Sequence, residues 1–158
     1  MNTHIIAISL AFLLGLTGIS FDRTGESEVN ISEVTSAAKA VVINSNDQMR
    51  FDKSEIRVKA GEKIKLTLNH TGKLPKTAMG HNFVLLEKGV DMADFAMKAM
   101  NAKDREYIPA KGVIAHTKLI GGGESTTIEF TAPAKGTYEF LCSFPGHYAM
   151  MKGKFIVE

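Results

Sequence analysis

The feature that most narrows the fold is an alternation of apolar and polar side chains, repeated in short runs along the chain. Ile64, Leu66 and Leu68 alternate with Lys65, Thr67 and Asn69. Successive side chains of a strand point to opposite faces, so such a run turns one face to a core and the other to water. Ile56 and Val58 alternate with Arg57 and Lys59, and Thr126 to Thr131 repeats the pattern through Ile128 and Phe130. Val41 to Ile43, Asn82 to Leu86, Val113 to Ile120, Thr137 to Cys142 and Lys154 to Val157 complete a set of short strands. Turn chemistry separates them: Asn46-Asp47, Ala60-Gly61 and Gly121 to Gly123. The spacing predicts an all-β sandwich or barrel. One segment departs from it. Met92, Phe95, Ala96, Ala99 and Met100 fall on one helical face behind Asp91. Asp91 is the predicted N-cap of a short inserted helix whose methionines pack into the core.

At 158 residues the chain suits a single domain with a real core. Its formal charge of +2, from 19 basic and 17 acidic residues, points to neither nucleic acid nor an anionic membrane surface as a partner. The triple glycine lacks the later Gly and the helical pattern of a dinucleotide fingerprint and is read as a turn.

The first 20 residues read as a targeting segment. Ile5 to Ile19 is almost wholly apolar, no charge precedes Asp22, and Gly18-Ile19-Ser20 offers small residues for cleavage. The run is short for a membrane span. Its MNTH start lacks Lys and Arg, so an uncleaved anchor is the alternative. No Cys near the junction could carry a lipid. Residues 21–36, polar and acidic, read as a flexible leader, and residues 37–158 as the folded domain. Export to the periplasm or beyond is the expected localisation, with membrane contact only if the N-terminal segment is kept.

Cys142 is the sole cysteine and cannot form an intrachain disulfide. An exported lone thiol is buried, reactive or metal-bound. Here it opens Cys142-Ser-Phe-Pro-Gly-His147-Tyr-Ala-Met150-Met151. Pro145 fixes φ and Gly146 permits a positive φ, so a tight turn brings His147 back toward the cysteine. Two His, one Cys and a distant Met form a blue-copper ligand set, acceptable to both Cu(I) and Cu(II). His81, opening the run Phe83 to Leu86, is the candidate for the second imidazole. Two His and one Cys also suit zinc; the thioether favours copper. The bland reading of Cys142 alone is a small buried hydrophobe, and that of Met150 or Met151 alone is core packing. His116 is expected to face out, with no ligand role.

Met79-Gly80-His81-Asn82, Val113 to Gly121 and Cys142 to Gly153 resemble bacterial azurins of the cupredoxin family. Asn46 to Phe51 and Leu74-Pro75-Lys76 match as well. The likeness runs from about Val41 to the C-terminus. It implies a Greek-key sandwich of about eight strands with a helical flap. It implies one type 1 copper held by His81, Cys142 and His147, with Met151 axial and the Gly80 carbonyl opposite. Asn82 and Phe144 match residues whose amides donate to the cysteine sulfur. Met49, Leu74, Met79, Phe144 and Met150 match an apolar patch around His147, through which electrons pass to docked partners. By family analogy these are a cytochrome c or a periplasmic reductase, met by a monomer. His70 matches an internal His near the copper, either structural or coupling protonation to redox state. Three features depart from azurins. The disulfide cysteines are missing, Phe83 stands where Trp is usual, and the leader is extra.

Electron transfer without substrate chemistry is therefore the first function expected. A copper oxidase or reductase needs a second metal centre or an open coordination position for a small molecule, and the sequence offers no second His cluster. A copper carrier uses exposed Met- or His-rich tracts, and the eight methionines here are dispersed. A metal-free interaction module leaves His81 and Cys142 in their matching contexts without a reason.

Overall fold

The computed structural model describes residues 37–158. The targeting segment and the leader lie outside the described residues. Among the described residues, nine strands form two sheets. The first has the order β2-β1-β4-β7, from Arg50–Phe51, Lys39–Asn46, Lys63–His70 and Ser125–Thr131. The second has the order β3-β9-β8-β5-β6, from Glu55–Val58, Lys152–Val157, Gly136–Leu141, Val84–Leu86 and Val113–His116.

The alternation fixes which faces meet. β1 pairs in parallel with β4, setting Val41 beside Leu66 and Ile43 beside Leu68. β4 pairs antiparallel with β7, setting Leu66 beside Ile128. Parallel neighbours cannot be joined by a hairpin, and the chain between β1 and β4 crosses to the second sheet to form β3. Ile64, Leu66 and Leu68 face Phe83, Leu85, Phe140 and Phe155 in one core, each with no exposed area. The outward residues Lys63 and Lys65 stay exposed. At about 25 cal/mol per Å2 of apolar surface, each such side chain contributes about 1.5–3 kcal/mol.

Phe83 to Leu86 does not alternate because β5 is buried on both faces. Its second face carries Val84 and Leu86, which pack with Leu141 and Ile108 against Phe95 and Ala96 of α2, Met92–Met100. Asp91 caps α2 as predicted, its Oδ1 accepting from the Asp94 N–H at 2.8 Å. The methionine stripe is only partly core. Met92 is half-buried against the second cluster, but Met100 is 54% exposed, because the narrower residues Ala96 and Ala99 make the contact.

The all-β sandwich with a helical insert is as expected, with three small additions and two shorter strands. β2 is a two-residue strand, α1, Lys76–Met79, is a single turn before His81, and Lys103–Arg105 is a short 3-10 turn. The strand expected over Val113 to Ile120 ends at His116, and the one expected from Asn82 begins at Val84. The reason is Thr117. Its hydroxyl accepts from the Phe83 N–H at 2.9 Å, so a side chain takes the place of one ladder bond. Pairing resumes as an isolated bridge between His81 and Ile120. His116 is exposed at the sheet edge, as expected.

Candidate metal centre

Three chain segments converge at one end of the sandwich. β8 ends at Leu141, and Cys142 follows with its N–H donating to the Met151 carbonyl at 2.9 Å. Between them the chain loops out and back. The His147 carbonyl accepts from both the Met150 and the Met151 N–H groups, and Gly146 takes φ of 83° at the turn. A β-carbon at Gly80 would lie 2.6 Å from the Lys76 carbonyl oxygen and 3.0 Å from both Leu119 Cδ2 and Phe144 Cδ2. Glycine there lets the chain before His81 lie against the loop carrying Phe144.

The side chains of His81, Cys142 and His147 offer three donor atoms within 4.8 Å of one another. Cys142 Sγ is 3.9 Å from His81 Nδ1 and 3.7 Å from His147 Nδ1. A thiolate at about 2.3 Å and an imidazole at about 2.0–2.1 Å from a shared ion stand about 3.8 Å apart in a trigonal plane and about 3.5 Å apart in a tetrahedron. The observed edges are of the length that one shared ion requires. A borderline-soft ion thus fits this pair of imidazoles and thiol.

Each donor is prepared for that role. His81 Nε2 lies 2.9 Å from the Asn46 carbonyl and donates to it, which leaves the Nδ1 lone pair facing the sulfur. Burial holds His81 below its ordinary value and takes His147 down to about 4, with His81 and His70 adding to the latter. Both rings are neutral ligands at pH 7. Complete burial pushes the Cys142 thiol up to about 12. The amides of Asn82 and Phe144 donate to its sulfur and pull the other way, too weakly to ionise it. A positive ion is what makes this sulfur a thiolate.

The ring of His70 stacks on His81 with centroids 4.3 Å apart. Its Nδ1 accepts from the Gly72 N–H at 3.0 Å, so its Nε2 carries the proton and donates to the Met79 carbonyl at 3.0 Å. The hydrogen-bonded structural role is the one its partners support.

Ser143 was not singled out in the sequence, yet it joins the histidine and cysteine segments. Its N–H donates to Asn82 Oδ1 at 2.8 Å, and its hydroxyl donates to the Tyr107 carbonyl at 2.7 Å. Asn82 Nδ2 donates to the Ser143 hydroxyl at 2.9 Å and to the Glu106 carbonyl at 3.2 Å. Glu106 and Tyr107 hold φ of 54° and 64°, uncommon for residues with side chains. Nothing in the spacing marks these residues. The signal was a buried polar residue beside a cysteine, which needs partners.

Residues 37–158 match the plastocyanin/azurin family of copper binding proteins. Azurin of Pseudomonas chlororaphis is 44% identical over 120-odd positions, 125 in all, covering 75% of this chain and 97% of that protein. The chain belongs to the plastocyanin/azurin family. It is an azurin-like blue-copper protein with one copper site. Outer membrane protein H.8 of Neisseria gonorrhoeae is 45% identical over 120 residues, 73% of this chain, and the match spans 65% of that protein's length. Auracyanin A of Chloroflexus aurantiacus, described as a "blue" copper protein, has a TM-score of 0.69 at 33% identity, over 75% of this chain and 98% of that one.

Phe83 places a large apolar ring in a fully buried position. The two neighbouring methionines separate cleanly. Met151 is fully buried, whereas Met150 is 51% exposed. The Gly80 carbonyl oxygen stands 3.9 Å from the sulfur. Leu74 is 42% exposed, and Met49, Met79 and Phe144 are half-buried.

Proposed function

We propose that this chain is a one-electron carrier of the exported space, taking up and releasing electrons through the edge of His147. The observation that carries the reading is the convergence of His81, Cys142 and His147 in a site closed to water. These residues are 0%, 0% and 3% exposed. A substrate has no approach to such a site, whereas an electron needs none, so the chain is read as a carrier and not an enzyme. Bound copper supplies a Cu(I)/Cu(II) couple.

The chain's own residues set the terms of that couple. His81, Cys142 and His147 would hold the ion, with the Met151 thioether and the Gly80 carbonyl as weaker donors. The Asn82 and Phe144 amides steady the sulfur's charge. The Asn82–Ser143 bonds tie two ligand segments together, so the donors shift little between states. His147 Nε2 has no protein partner among the described residues, which leaves that edge to a docked protein. Met49, Leu74, Met79, Phe144 and Met150 surround it as the docking patch, suited to brief encounters with a cytochrome c or a reductase. Residues 1–20 act as the export signal or anchor, 21–36 as a leader, and 37–158 as the working domain, monomeric in solution. Export agrees with the azurin and outer membrane protein relatives.

The test is the absorption spectrum of the chain loaded with Cu(II). The expected result is a strong thiolate-to-copper band near about 600 nm, bleached by ascorbate and missing in Cys142→Ala. A folded, colourless protein that binds copper weakly overturns the reading and favours a scaffold used for interaction alone.

A further inference from the structure

The surroundings of the electron port are electrically lopsided. Residues 37–158 carry 18 Lys and Arg against 13 Asp and Glu, a formal charge of +5, which the acidic leader lowers to the +2 of the whole chain. Several of these cations are tied up far from the port, Lys65 with Glu129 and Arg57 with Glu55 and Glu158. Lys73, Lys76 and Lys103 are exposed and make no ion pair among the described residues.

Their placement follows from the site. Lys73 precedes the patch residue Leu74, whose carbonyl accepts from the Gly122 N–H at 2.8 Å. Lys76 opens α1, one turn before Met79 and Gly80. Lys76 and Lys103 both line a groove of about 300 Å3, together with Thr77, Glu106, Tyr107, Leu119 and Phe144. The Phe144 ring lies 4.8 Å from that of His147, so the groove adjoins the port. Three carboxylates are nearby, and all are engaged by backbone, Glu124 accepting from the Gly121 N–H at 2.8 Å. Asp47 accepts from the Lys73 and Leu74 N–H groups, and Glu106 accepts from the Leu119 N–H. Asp104 and Arg105 are adjacent and offset each other. The patch residues Met49, Leu74, Met79, Phe144 and Met150 are themselves uncharged.

Building on the electron-carrier reading above, we propose that Lys73, Lys76 and Lys103 form a cationic rim that steers the port onto a redox partner whose own cofactor edge is bordered by carboxylates. Charges at the rim of an interface raise the encounter rate and its salt dependence more than they raise affinity. Apolar contact at Phe144 and Met150 then holds the pair briefly, with the lysines sorting acidic partners from basic ones.

The test is stopped-flow oxidation of the full, copper-loaded, reduced chain by hexacyanoferrate(III), an anionic probe standing for the carboxylate border. The cationic probe is tris(phenanthroline)cobalt(III). For the anion, the rate constant should fall about three- to tenfold as ionic strength rises from about 10 mM to about 200 mM. For the cation it should rise. The triple variant Lys73→Gln, Lys76→Gln, Lys103→Gln should flatten both slopes. A control variant, Lys59→Gln, Lys63→Gln, Lys135→Gln, removes the same charge at the far end of β3 and β4 and before β8, and should keep most of each slope. Equal effects of the two variants show that only net charge acts, and they overturn the rim. A blue, redox-active protein whose rates ignore salt also overturns the rim while leaving the carrier reading intact. Loss of the blue band in the unmodified chain is the failure of the carrier reading instead.

Discussion

At the scale of single residues, Cys142 carries the most chemistry. Its thiol, raised to about 12, is protonated at pH 7, while His147, lowered to about 4, is neutral there. Copper uptake at neutral pH should therefore release one proton per ion, all of it from the cysteine. The apparent affinity should climb about tenfold per pH unit across the neutral range. A pH-stat titration with Cu(II) reads this directly, and a release near zero would mean that the sulfur is not the donor. Met151→Leu keeps the volume of a buried side chain and removes its sulfur, so the fold should persist. A thioether that contacts the ion helps set the balance between its two states, and cyclic voltammetry should show the potential rising, by about 60 mV for each tenfold change in that balance. No shift would place Met151 in the core alone.

At the scale of elements, two carboxylates do distinct work. Asp91 caps α2 through the Asp94 N–H. Asp91→Ala should lower stability by about 1 kcal/mol, read as a shift in urea midpoint with unchanged slope. Asp52 joins the β2 turn to β1, its oxygens accepting from the Asn44 N–H and Nδ2, both at 2.8 Å. Partial burial pushes its pKa up, but the Asn44 donors and Lys53 outweigh this, and it lies below the ordinary 3.8. A depressed carboxylate adds stability above its unfolded value and loses it as pH falls through the folded one. Asp52→Asn should thus cost stability at pH 7 and progressively less below about pH 4. Urea midpoints of the two proteins should converge on acidification, and parallel curves would remove the linkage.

At the scale of the whole molecule, the two sheets meet over one aromatic core and no disulfide assists them. Cys142 is the sole cysteine and is buried. Thermal unfolding of the copper-free chain should then be unchanged by dithiothreitol, whereas a lowered midpoint would reveal a bridge between chains. Phe140 joins the halves of the core, its ring 5.2 Å from Phe83 and 5.9 Å from Phe51. Phe140→Ala should cost about 3–5 kcal/mol, a large part of the about 5–15 kcal/mol that holds a domain together.

Much of this was open to reading from the order of residues, because local rules produce it. The period of two marked the strands, Asp91 marked the start of a helix, and the Cys142-to-Met151 spacing with its Pro-Gly turn marked a metal loop. Other features depend on contacts between distant segments. The Thr117 hydroxyl breaks a strand only because Phe83 lies opposite, 34 positions away. Met100 is exposed because alanines elsewhere on the same helix meet the core. Ser143 and the left-handed pair Glu106–Tyr107 join two ligand segments through bonds that span 61 and 36 residues. The lysine rim exists because α1, the 103–105 turn and the ligand loop come together in space. Periodicity and turn chemistry act over a few residues and are written in neighbours. Burial, hydrogen-bond partners and the sharing of one surface act through space, and they take form only once the chain has folded.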